Sequence, residues 1–187
     1  MDTHATTMGT ATTHRQAEFH ALLQAHRRIV FKVAATYARH PEDRADLAQE
    51  IATQLWRAFP GYDPVRPFST WMYRIALNVA ISQVRNHRLR HGLVEPLDEA
   101  HDDVAGDDGS GHEHAEAGRV LQRLIAGLEP LDRALLLLYL DERPQREIAE
   151  VLGITETNVA TRIGRLKQRL RQQMAGPNDG SDTHGTR

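Results

Sequence analysis

Between His91 and Gly118 the chain carries nine acidic residues and no lysine or arginine, and part of this run reads AGDDGSG. A segment with so little apolar surface cannot offset the entropy of ordering itself, so no continuous core can be threaded through it. What folds must fold on either side of it. Residues 15–90 hold 12 Lys or Arg against 6 Asp or Glu, and residues 119–174 hold 10 against 7. The formal net charge of −2 therefore conceals two basic segments joined by an acidic tether.

Both segments show helical periodicity and no strand pattern. Phe19, Leu22, Leu23, Ile29, Val30, Val33 and Tyr37 recur at helical spacing until Pro41, which disfavours helix in the residue before it. A second helix is expected from about Asp43, with acids in its first turn and Leu47, Ile51 and Leu55 on one stripe, ending at Pro60-Gly61. After the loop GYDPVRP, a third is expected from about Phe68 to about Arg90, with Trp71, Ile75, Val79 and Ala80 inward and Arg74, Asn78, Ser82, Arg85 and Arg88 on other faces. Beyond the tether, Val120, Leu121, Leu124, Ile125 and Leu128 form a stripe, Leu131 to Leu140 a further helix and DERP a turn. The fold class is therefore all-α: two small helical domains on a flexible acidic linker. Their limits are 15–90 and 119–174, with the linker at 91–118 and disordered tails at 1–14 and 175–187.

The fragment REIAEVLGITETNVATRIGRLKQRLR, residues 146–171, has the spacing of a helix-turn-helix. Ile148, Ala149 and Leu152 face inward on a short helix, Gly153 supplies a turn suited to positive φ, and Thr155 is placed to cap the next helix. Val159, Ile163, Leu166 and Leu170 line that helix's buried side, while Asn158, Thr161, Arg162, Arg165 and Arg169 lie opposite. In such a motif the first helix braces the second, whose N-terminal side chains reach base edges in the major groove. Asn pairs with adenine and Arg with guanine, and cations farther along neutralise phosphates. The plainer alternative is a helical hairpin with a solvated basic face.

Other classes have less support. No carboxylate pair, nucleophile with base or glycine-rich phosphate loop stands out, so no active site is expected. With no cysteine, disulfides and thiolate metal sites are excluded; His101, His112 and His114 in the tether lack a second ligand cluster, so neither metal nor cofactor is expected. The longest aliphatic run, Leu135 to Leu138, is too short to span a bilayer, and a cytoplasmic protein without membrane insertion is expected.

Two fragments of the first segment, DLAQEIATQLWRAF and RPFSTWMYRIALNVAISQVRNHRLR, closely resemble region 2 of bacterial sigma factors of the extracytoplasmic-function (ECF) group, and residues 131–171 resemble region 4. The resemblance implies a dissociable promoter-specificity subunit of RNA polymerase and no enzyme. The first domain would bind the polymerase clamp through Asp46, Leu47, Gln49, Glu50 and Thr53. It would open the minus-ten element with Phe68, Trp71, Arg74, Asn78, Ser82, Arg85 and Arg88, since aromatic surfaces and a basic groove hold unpaired bases. Aromatics at helical spacing are usually core, so for Trp71 and Trp56 packing inside is the reading preferred to contact with nucleic acid. The second domain, with the polymerase flap as its partner, would read the minus-thirty-five duplex through Thr155, Glu156, Asn158, Thr161, Arg162 and Arg165. The tether is either a rough electrostatic mimic of RNA in a polymerase channel or a solvated spacer.

Two departures from the family pattern stand out. An acid cluster usual before Leu47 reads Asp43-Arg44-Ala45-Asp46 here, which suggests a phosphate on Thr53 as a replacement for the missing acid. Ala160 stands where lysine is common, so the promoter preference is expected to differ. Control by an anti-sigma factor or a kinase is compatible with the resemblance. The competing reading is a stand-alone regulator that uses 146–171 for duplex binding and its N-terminal helices for dimerisation or sensing.

Overall fold

The computed structural model describes residues 4–91, 125 and 127–174. Every regular element among them is helical. The acidic tether from residue 92, the stripe Val120, Leu121 and Leu124, and the C-terminal tail lie outside the described residues.

In the first domain α1 runs His4–Tyr37, α2 Pro41–Ala58 and α3 Phe68–His91, with a 3-10 turn at Phe59–Gly61. Helix α1 begins well inside the stretch read from sequence as a disordered tail: propagation adds a backbone bond for each residue fixed, and no proline stops it. Helix α2 starts at Pro41 rather than near Asp43, because proline suits the first helical position, where its missing N–H has no partner to lose. The Arg44 Nε donates to the Ala38 carbonyl at 3.1 Å, so the arginine that departs from the family pattern tethers the end of α1.

Leu47, Ile51 and Leu55 are buried as expected, packed with Phe19, Ile29, Val30, Val33 and Tyr37 of α1. The inward face of α3 differs from the expectation. Met72, Tyr73, Ala76, Leu77 and Ala80 are fully enclosed, whereas Trp71, Ile75 and Val79 are only half-buried. The reason is that α3 is covered twice, by α1 and α2 on one side and by the second domain on another.

That second domain is α4 Pro130–Leu140, α5 Gln145–Leu152 and α6 Glu156–Met174. The turn DERP places Glu142 at φ 56°, and the Arg143 N–H donates back to the Leu138 carbonyl at 3.1 Å, closing α4. On α5, Ile148, Ala149 and Val151 are buried, and Leu152, expected inward, is half-buried. Gly153 is left-handed at φ 66°, and the Ile154 N–H donates to the Ala149 carbonyl at 3.1 Å. A Cβ at Gly153 would meet nothing within 4 Å, so the penalty for Gly153→Ala is conformational rather than steric. We expect it to cost about 1–2 kcal/mol, read as a lower melting temperature.

The two domains pack on one another. Sequence gives no sign of this, since the tether alone suggests independence.

Candidate nucleic-acid and polymerase interfaces

Asp46, Gln49 and Glu50 are exposed together on α2, opposite the buried stripe. Leu47, expected among the polymerase contacts, is 2% exposed and belongs to the core instead, because it is the first residue of that stripe. Thr53 is half-buried and its hydroxyl donates to the Gln49 carbonyl at 2.9 Å, so it does not stand free on the exposed side as expected.

On α3 the residues proposed for the minus-ten element lie three or four positions apart, so they form one stripe along the helix. Arg74, Asn78, Ser82 and Arg85 are exposed on it, and Arg88 is half-exposed. Phe68, at the head of the stripe, is 6% exposed and cannot stack on a base; it closes the core with Phe59, 6.5 Å between ring centroids. Trp71 is half-buried against Phe68 and Tyr62, at 5.2 and 5.1 Å. Tyr73, two positions beyond Trp71, is fully buried.

Both ends of this stripe meet acids of the second domain. Near its head, Arg66 pairs with Glu150 at 2.8 Å and the Thr70 hydroxyl donates to Glu147 at 2.7 Å. At its far end Arg88 pairs with Glu129 at 3.3 Å. Between the domains, Asp141 accepts from the Tyr73 hydroxyl and pairs with Lys32, while Arg143 lies 3.7 Å from it. The Tyr37 hydroxyl donates to the Pro130 carbonyl at 2.6 Å, and the Arg133 guanidinium lies 5.4 Å from the centre of the Tyr37 ring. Burial pushes the Asp141 carboxyl up, but Lys32, Tyr73 and Arg143 outweigh it and hold the group below its ordinary value. Burial, reinforced by Asp141, pushes the Tyr73 phenol up.

In the helix-turn-helix, Thr155 caps α6: its Oγ1 accepts from the Asn158 N–H at 3.2 Å. Val159, Ile163 and Leu166 are buried against α4 and α5, and Leu170 is half-buried. Glu156, Asn158, Thr161 and Arg165 are exposed as expected. Arg162 is half-exposed and engaged: Nη1 pairs with Asp132 at 2.8 Å and Nε donates to Asn158 Oδ1 at 3.1 Å. The Asp132 contact was not foreseen, because 30 residues separate the partners.

A helix-turn-helix with exposed basic and polar positions on its second helix thus stands beside a second basic helical domain. Residues 22–90 match the family Sigma-70 region 2, and residues 118–170 match Sigma-70, region 4. The chain is 30% identical over 168 residues to the RNA polymerase sigma factor CnrH of Cupriavidus metallidurans, across 86% of this chain and 88% of that one. It is 34% identical over 140 residues to the ECF RNA polymerase sigma factor SigW of Bacillus subtilis, across 69% and 74%. The chain belongs to the ECF group of RNA polymerase sigma factors, which direct promoter-specific transcription initiation.

The fold superposes on CnrH in complex with the cytosolic domain of CnrY (TM-score 0.63, 22% identity, 87% of this chain and 91% of that one). It also superposes on the sigma factor RpoE in complex with the anti-sigma factor NepR from Bartonella quintana (TM-score 0.64, 15% identity, 87% and 98%). Among the described residues no helix is long and apolar enough to cross a membrane, and no cluster of potential ligands suited to a metal ion occurs.

Proposed function

We propose that the acidic face of α2, Asp46, Gln49 and Glu50, seats the chain on the polymerase clamp, and that the α3 stripe from Trp71 to Arg88 captures the minus-ten strand. Helix α6 then reads the minus-thirty-five duplex through Asn158, Thr161 and Arg165. The observation that carries this is the single stripe on α3, with Arg74, Asn78, Ser82 and Arg85 exposed over about three turns of one continuous helix. The domain limits are 15–90 and 119–174, with α1 extended to His4.

This reading requires the domains to part. Elements about 25 base pairs apart lie roughly 85 Å apart along B-DNA. A compact chain of this length has a radius of gyration of about 16 Å. The packed arrangement therefore holds both DNA-binding surfaces too close together to occupy both elements. The RpoE structure carries the anti-sigma factor NepR, and a partner of that kind that favours the packed arrangement would hold this chain inactive.

The experiment compares duplex binding by the chain alone with binding after addition of core polymerase. Selective upstream binding that needs core supports the reading. Tight binding of a palindromic duplex by a dimer without core would replace it with a stand-alone regulator.

A further inference from the structure

Asp132 lies in the first turn of α4, outside the recognition helix, yet its carboxylate grips Arg162 at the middle of the reader face. Arg162 in turn donates from Nε to Asn158 Oδ1, and the Asn158 backbone is held by the Thr155 cap. The chain of contacts runs from a carboxylate, through a guanidinium, to one side-chain amide. We propose that Asp132 is a positioning residue that sets the base preference of Asn158; this rests on the proposal that α6 reads a duplex.

An unrestrained asparagine amide turns over freely and offers a base either a donor or an acceptor. Here Oδ1 accepts from Arg162 Nε, which fixes the turn of the amide and leaves Nδ2, a donor, as the end to offer a base. Major-groove acceptors are purine N7, guanine O6 and thymine O4, whereas cytosine presents an N4 donor. A fixed Nδ2 therefore accepts purines and thymine and rejects cytosine. Arg162 spends its Nε hydrogen and one of its two Nη1 hydrogens on this task, which leaves the second Nη1 hydrogen and both on Nη2 for a base or phosphate. To the guanine contact expected of an arginine here the structure adds a holding role. Asp132 keeps the guanidinium in place: its side chain is 20% exposed and that of Arg162 37%, so the pair is partly shielded from water.

The test uses the full chain with core polymerase on promoters carrying each of the four bases at every upstream position, with thermal melting in parallel. The parent is expected to reject cytosine by roughly tenfold at one step, as one oriented hydrogen-bonding side chain does. Asp132→Ala should fold and melt near the parent and reduce this to roughly twofold at that same step. Asn158→Ala should lose discrimination there too, and Asp132→Glu should recover it. An unchanged base profile in Asp132→Ala overturns the proposal, as does a loss uniform across all sequences, which would mark Asp132 as a brace. If the parent itself selects nothing upstream, the reading of α6 as a duplex reader fails, and this inference with it.

Discussion

Asp46→Lys and Glu50→Lys are each expected to weaken capture of core polymerase by roughly a hundredfold, because placing like charges across an interface costs several kcal/mol. Neither carboxylate is needed by the fold. Both are exposed on α2, where the buried positions are Leu47, Ile51 and Leu55. The melting temperature should therefore stay within the small range typical of surface changes, about 0.5 kcal/mol in stability. Affinity is read by competition for labelled core, and stability by thermal melting. Equal capture by variant and parent would remove α2 as the docking face. Leu47→Ala serves as the contrast: it opens a cavity and should cost about 2–5 kcal/mol in stability.

The second large effect concerns the contact between domains. Asp141→Ala leaves the Tyr73 hydroxyl without its carboxylate partner and frees Lys32, and should weaken the packed arrangement by about 1–3 kcal/mol. That corresponds to roughly a 5- to 150-fold larger population with the domains apart. Fluorescence transfer between dyes on α2 and α6 should show a longer mean distance in the variant, and a distance distribution identical to the parent's would refute the role of Asp141. The pH dependence follows from the two shifts. The Asp141 carboxyl is held low when packed, so its contribution is present above about pH 4 and lost as pH falls. The Tyr73 phenol is raised when packed, so its contribution is present below about pH 10 and lost as pH rises. Packing should be firmest between these limits.

How much the sequence revealed depended on how far apart the interacting residues lie in it. The α2 stripe was legible because that helix is buried on one side only. The Gly153 turn and Thr155 cap were legible because their partners lie within a few residues. Helix α3 misled because apolar residues occur around much of its circumference. Trp71, Ile75 and Val79 suit a buried face as well as Met72, Ala76 and Leu77 do, and only the double cover shows which set is enclosed. Phe68 and Leu47 stand in family motifs that mix core positions with functional ones, so the motif alone marks them as contact residues although both are buried. Arg162 was read as free because Asp132, Glu129 and Asp141 belong to contacts between distant segments, which periodicity does not report. The acidic tether divides the chain by composition, but composition carries no information on whether the halves then dock.

In the function proposed, the α3 stripe holds a separated promoter strand once the chain is seated on polymerase. Permanganate reactivity of promoter thymines tests it most directly, since only unpaired thymines react. With core polymerase and the parent chain, thymines of the minus-ten element should become reactive, and Asn78→Ala together with Arg85→Ala should abolish that reactivity without releasing the chain from core. Reactivity undiminished in the double variant would contradict the account, as would a parent chain that stays bound to core and opens no promoter.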